Sequence, residues 1–124
     1  MKTSIKTISI YIMGLGYMAV GIMHFVNPDF FLKIMPPYLP WHLELVYLSG
    51  VCEIFLGGLL LLPKYRFYAG WGLILLLIAV FPANIYLAQS ETAQQALGVS
   101  QEAAIIRMPF QLVMIALAYW HSKP

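Results

Sequence analysis

Five polar side chains stand where apolar sequence surrounds them: His24, Glu53, Asn84, Arg107 and Gln111. An imidazole, a carboxylate, a guanidinium and two amides can pair as ions, relay protons or hold the polar head of a small molecule. A charge at the centre of a bilayer costs at least ~2.5 to 3.5 kcal/mol on insertion scales, so Glu53 and Arg107 are expected to face inward and find partners. The economical assignment pairs them with each other, while His24, Asn84 and Gln111 satisfy the remaining donors and acceptors. Two readings of the set stand side by side. In one it is structural glue, at about 0.6 kcal/mol per interhelical polar contact. In the other it is a ligand or proton site, the default expectation for ionisable groups inside a membrane. No catalytic residue is assigned within it.

Other chemistries fit poorly. Metal binding is not expected, because His24, Glu44 and Glu53 lack close ligand spacing and His42 with Glu44 makes only a lone i, i+2 pair. Cys52 is the single cysteine, which excludes an intrachain disulfide and a CxxC redox pair. The net charge of +2 is small and scattered, so nucleic acid is not an expected partner.

The elements that carry these groups follow from composition. The chain has 124 residues, 61% of them hydrophobic and 10% charged, with mean hydropathy +0.80. A soluble domain is roughly half apolar and about a quarter charged. Four apolar runs, Ile8 to Val26, Leu43 to Leu62, Trp71 to Leu87 and Ala103 to Trp120, each approach the ~20 residues that cross a ~30 Å hydrocarbon core. The expectation is an all-α, four-transmembrane-helix bundle running up-down-up-down as a single domain over 1–124, with spans near 7–27, 42–62, 67–89 and 103–120. The first run follows Lys2 and Lys6 but lacks an A-x-A-like cleavage site, so it reads as a retained span rather than a signal peptide.

Between the spans, 28–41 is rich in Phe30, Phe31, Leu32, Ile34 and Met35 and contains Pro36, Pro37 and Pro40. It predicts a short interfacial segment and then a stiff extended turn capping one end of the bundle, with Tyr38 and Trp41 at headgroup level. Ser90 to Glu102 reads as the one clearly polar loop, ending in a Ser100-Gln101-Glu102 cap for the fourth span.

Helical spacing sets the faces. Gly14, Tyr17, Gly21 and His24 share one side of the first span; Ser49, Gly50, Glu53 and Gly57 share one side of the second. Such small residues let membrane helices approach closely. Arg107, Gln111, Met114, Ala118 and His121 line one side of the fourth, with His121 expected in solvent at its end. In the third span Pro82 cannot donate to the carbonyl of Ile78, which then needs a neighbour's polar group or a water. Phe81, Tyr86 and Phe110 are the aromatics expected to line a pocket beside the polar groups.

Orientation comes from the basic residues. With four spans, the termini and the second connection lie on one side, which holds Lys2, Lys6, Lys64, Arg66 and Lys123; the other side's loops hold Lys33 with Asp29, Glu91 and Glu102. The positive-inside rule puts both termini in the cytoplasm. His24, Asn84, Arg107 and Gln111 then fall in the outer half, with Glu53 roughly 15 Å below the start of its span at ~1.5 Å per residue.

These residues also carry a resemblance. Gly21-Ile22-Met23-His24-Phe25 followed by Pro28, then Pro36-Pro37-Tyr38, Ser49-Gly50-Val51-Cys52-Glu53, Ala69-Gly70-Trp71-Gly72, Phe81-Pro82-Ala83-Asn84 and Arg107-Met108-Pro109-Phe110-Gln111 together resemble the DoxX-like family of small bacterial membrane proteins. The resemblance spans the chain from the first run to the fourth. It implies a four-helix fold in the bacterial cytoplasmic membrane and, from the family's founding members, a link to quinol oxidase and thiosulfate:quinone chemistry. Other relatives are implicated in membrane oxidoreductase complexes or, in animals, in receptor assembly.

The sequence carries no haem, flavin or iron–sulfur motif, so no cofactor is intrinsic; redox service would be as a subunit or quinone-contacting partner. The leading expectation is an accessory subunit of quinone-linked membrane redox chemistry, whose partners are the lipid bilayer, a redox complex or other membrane protein, or further copies of itself. The alternative is a non-enzymatic assembly factor or chaperone that binds another membrane protein through small-residue faces. A proton or solute carrier is the third reading, for which four short spans leave little room. The discriminating place is the space between Glu53, Asn84 and Arg107: a bound molecule there favours a pocket, direct Glu–Arg contact without a void favours glue.

Overall fold

The first helix shows how local chemistry sets the boundaries. In the computed structural model, which describes residues 4–123, helix α1 (Ile5–Val26) opens at Ser4, whose Oγ accepts from the Thr7 backbone N–H at 3.1 Å. It closes at Asn27, because Pro28 restricts the residue before it. Lys2, one of the bases counted for orientation, lies outside the described residues. There follow α2 (Pro28–Leu32), α3 (His42–Leu60), a 3-10 turn over Pro63–Tyr65, α4 (Arg66–Gln89), α5 (Glu91–Leu97) and α6 (Gln101–Ser122), with no strand among the described residues. Four helices, α1, α3, α4 with its preceding turn, and α6, are long and apolar enough to cross a membrane. Their outward faces carry large apolar side chains such as Ile12, Leu75 and Phe110, each more than 60% exposed, a surface that suits a lipid bilayer.

α1 packs chiefly on α3 and α4 chiefly on α6, with α3 and α4 joining the two pairs. Glycines set the first contact. Gly14 faces the carbonyl of Gly57 and Gly21 that of Gly50, so that a Cβ added to either α1 glycine would lie within 3 Å of the facing backbone oxygen. Ascending residues on α1 meet descending ones on α3, which makes the pair antiparallel. At the end shared by the termini, Ile10, Tyr17, Leu60, Ala69, Leu73, Ile74 and Ala118 form one core; at the other end a smaller one joins Ile34, Leu87, Ala88, Ala93 and Ala104.

The connections differ from the sequence expectation in three places. Glu91–Leu97 is helical, not loop: Ser90 caps it through Ala93 N–H at 3.2 Å, Gly98 ends it at φ 69°, and Gln94 ties it to the Leu87 and Ala88 carbonyls. Residues 33–41 are not extended; hydrogen-bonded turns fold them back, with the Leu39 N–H on the Pro36 carbonyl at 3.1 Å and His42 Nε2 donating to that same oxygen at 3.1 Å. His121 is not solvated. It is fully buried, and its Nε2 lies 2.8 Å from Ser9 Oγ on α1, because α1 and α6 close together at the terminal end.

Ser100 does cap α6, accepting from Ala103 N–H at 3.1 Å. Ser100→Ala is expected to destabilise the protein by about 1 kcal/mol, read as a lower thermal midpoint of the detergent-solubilised chain, whereas Ser100→Asp, which keeps an acceptor, holds the midpoint. Equal loss in both variants would show that the hydroxyl acts otherwise than as a cap.

Candidate functional site

Toward the end opposite the termini the helix pairs leave a cavity of about 380 Å³. Its walls come from every long helix: Val20 and His24 from α1, Ser49, Cys52 and Glu53 from α3, Pro82 and Asn84 from α4, and Arg107 from α6. Phe30, Phe31, Ile34, Met35, Pro36 and Leu39 close it from the folded-back segment after α1. The lining is therefore mostly apolar, with a carboxylate and an imidazole on one side and a guanidinium and an amide on the other. That is the usual composition of a small-molecule pocket, where a few polar groups orient an apolar body.

The sequence-predicted residues fall into two groups. His24, Glu53, Asn84 and Arg107 border the cavity. Gln111 does not; it is buried between α6 and α4, where its Oε1 accepts from Asn84 Nδ2 and its Nε2 donates to the Leu77 carbonyl. That carbonyl precedes the one expected to need a partner. Ile78 is 56% exposed on the outward side of α4, so a side chain arriving from α6 meets Leu77 instead.

The expected Glu53–Arg107 pair is absent among the described residues. Glu53 Oε2 lies instead 3.7 Å from His24 Nδ1, and that nitrogen also lies 2.8 Å from the Val20 carbonyl, to which it donates. The reason is the glycine packing: Gly21 against Gly50 brings α1 and α3 so close that His24 packs on Gly50. Because helical side chains lean toward the N-terminus, the imidazole and the Glu53 carboxylate both reach back toward this crossing and meet before any group on α6 can reach Glu53. Phe31 holds the imidazole from the other face, with ring centroids 3.7 Å apart and planes 16° off parallel. Among the described residues Glu53 Oε2 is buried without a hydrogen-bond partner, as is the Tyr17 hydroxyl two turns before His24 on the same face of α1. Arg107 borders the cavity with no ion pair or side-chain hydrogen bond among the described residues.

The aromatics also differ. Phe30 and Phe31 line the cavity, whereas Phe81, Tyr86 and Phe110 do not, Phe110 being 61% exposed toward the outside. Ser49 and Cys52, which sequence reasoning passed over as site residues, sit one turn and one residue before Glu53; helical spacing from the carboxylate would have found Ser49, but not Cys52, which stands about 100° round the helix. Among the described residues no cluster of three or more His, Cys, Asp or Glu side chains is placed to hold a metal ion.

Comparison with known proteins gives one match: the model of a family described as a domain of unknown function (DUF8561) covers residues 13–122. No curated protein and no solved structure matches the chain.

Proposed function

The chain belongs to the DUF8561 family, and we propose that it is a membrane protein that holds a small, flat amphipathic molecule of the quinone class in the cavity between Glu53 and Arg107, as an accessory to membrane redox chemistry. One observation carries this reading. The two opposite charges stand on a common cavity of about 380 Å³ without pairing across it. Glue would have closed that gap, since Glu53 has His24 beside it but Arg107 has no ion-pair partner among the described residues, and direct contact is the cheapest remedy for an unpaired buried ion.

The residues present suit such a molecule. Phe30, Phe31 and Pro82 offer flat apolar walls, Arg107 offers donors to a carbonyl oxygen, and Glu53 Oε2 retains capacity to accept from a hydroxyl. A bound quinone would supply carriage of two electrons and two protons; the chain's own part is to orient the ring and keep bulk water from it. The DoxX-like resemblance supports the same ligand class and a bacterial cytoplasmic membrane. The basic residues Lys6, Lys64, Arg66 and Lys123, gathered at the terminal end, support an orientation with both termini inside and the cavity in the outer half. The assembly-factor reading drew on small-residue helix faces, and those of Gly14, Gly21, Gly50 and Gly57 are used up packing α1 against α3.

The test uses Cys52, the chain's single thiol, which lies on the cavity wall. A short-chain quinone is expected to slow maleimide labelling of Cys52 in detergent-solubilised protein. Losing a hydrogen bond to a charged group costs roughly 1.5 to 3 kcal/mol, so Glu53→Ala and Arg107→Ala should each need on the order of tenfold to a hundredfold more quinone for the same protection. Protection that is equal in wild type and both variants, or none at all, removes the proposal.

A further inference from the structure

A second cavity, of about 470 Å³, opens at the terminal end of the bundle, well away from the first. Lys6 and Thr7 of α1, Arg66 at the start of α4, and Ser122 with Lys123 at the end of α6 converge on it, over an apolar floor of Ile10, Pro63 and Phe67. None of the chain's acidic side chains lines it: Asp29, Glu44, Glu53, Glu91 and Glu102 lie on α2, α3, α5 and the start of α6. Three cationic residues, on α1, at the start of α4 and just past the end of α6, therefore line one hollow that no acidic side chain of the described residues shares, with the Lys123 ammonium 4.6 Å over the Tyr119 ring.

The hollow is built rather than incidental. Arg66 is fixed by its own hydrogen bonds, Nε donating to the Leu60 carbonyl at 2.9 Å and Nη2 to the Leu61 carbonyl at 3.4 Å, which holds the guanidinium against the last turn of α3 with Nη1 uncommitted among the described residues. Lys6 Nζ donates to the Lys123 carbonyl at 2.6 Å, binding the end of α6 to the first turn of α1. Phe67, 57% exposed, extends the floor outward toward the surrounding hydrocarbon. A site with cations at one end of the span-length helices, hydroxyls beside them and an apolar skirt next to them matches the chemistry of a phosphate ester carrying acyl chains.

We infer that this hollow binds a phosphate group, Arg66, Lys6 and Lys123 facing its oxygens, and that the phosphate is the headgroup of an anionic lipid whose chains run past Phe67. The site is independent of the quinone-class reading and would stand if that reading failed. Arg66 also caps α3, so the informative variants leave it in place.

The experiment reconstitutes full-length protein in nanodiscs of neutral phosphatidylcholine with a graded fraction of phosphatidylglycerol and follows its thermal midpoint and the lipid retained on native mass spectrometry. Each surface base is worth about fivefold in affinity for anionic lipid, so Lys6→Gln/Lys123→Gln should need on the order of twentyfold more phosphatidylglycerol for the same response. Lys6→Arg/Lys123→Arg should restore it, and Lys64→Gln, at the same end but outside the hollow, should leave it within about twofold. Inorganic phosphate added to wholly neutral nanodiscs separates the sources: a comparable upward shift that needs Lys6 and Lys123 assigns the site to a soluble phosphate. Loss of response in Lys64→Gln equal to that in the double variant would mean diffuse surface charge and overturn the site, as would an unchanged response in the double variant.

Discussion

Valine at Gly21 or at Gly50 is expected to cost the fold roughly 3 kcal/mol or more, the upper range for overpacking, whereas Gly16→Val should cost almost nothing. At Gly21 an added Cβ would stand 2.7 Å from the Gly50 carbonyl oxygen and 2.7 Å from Ile54 Cγ1; at Gly50 it would stand 2.9 Å from the Gly21 carbonyl and 2.8 Å from His24 Cβ. At each position one obstacle is a backbone carbonyl oxygen of the facing helix, so no rotamer change relieves it and the helices must part. Gly16, one helix position row away, would place its Cβ in open space. The check is the fraction of protein that elutes monodisperse from detergent and its thermal midpoint. Comparable behaviour of the three variants would mean that α1 does not rest on α3 through these glycines.

The same contact connects packing to the cavity. His24 packs on Gly50, and Glu53, one turn further along α3, leans back toward the same crossing, so the glycine pair sets how far the imidazole stands from the carboxylate. A partial separation, as in Gly50→Ala, is expected to retain a folded bundle with weakened protection of Cys52 by quinone. In this region a helix–helix distance and a ligand site are one geometric fact.

Much of this was legible in the sequence because the signals are periodic. Four mostly apolar runs, each close to the length that crosses a bilayer, have few alternatives to membrane-spanning helices, and the i, i+7 glycines of α1 and α3 announced a close face. The helix α5 was missed although Ser90 and Gly98 bracket it as cap and terminator, since a polar composition masked the caps. The burial of His121 was invisible for a different reason: it depends on α6 meeting Ser9 of α1, a contact between the two ends of the chain that no local pattern encodes. Pairing of the polar groups failed on the same ground. Glu53 and Arg107 were matched by charge, but which neighbour a side chain meets is decided by how near each helix comes, and glycines bring α1 to Glu53 first. Phe31 belongs with these, because only the fold-back of the segment after α1 lays its ring on His24.

Gln111→Leu separates the structural share of the polar set from the ligand share. Gln111 is 4% exposed, and its amide meets both the Leu77 carbonyl and Asn84, so leucine leaves the Asn84 side-chain donor unpaired and the Leu77 carbonyl with only its own helix's N–H, beside Pro82, where the helix has already lost one N–H. Each unsatisfied buried group costs about 1 to 3 kcal/mol, which puts the loss above the ~0.6 kcal/mol average for interhelical polar contacts. Asn84→Leu removes one of the two bonds and should cost less. The double variant should cost less than the sum of the singles, because the Asn84–Gln111 bond is lost only once; a double-mutant cycle in detergent reads that coupling directly. Strict additivity would show that the two amides do not hold each other. Arg107→Ala should behave in the opposite sense, with a small change in stability and a large loss of Cys52 protection, because Arg107 borders the cavity without bonding to a neighbour. Glue and pocket are then distinct residues of one cluster, with Gln111 fastening α6 to α4 behind the wall from which Arg107 faces the cavity.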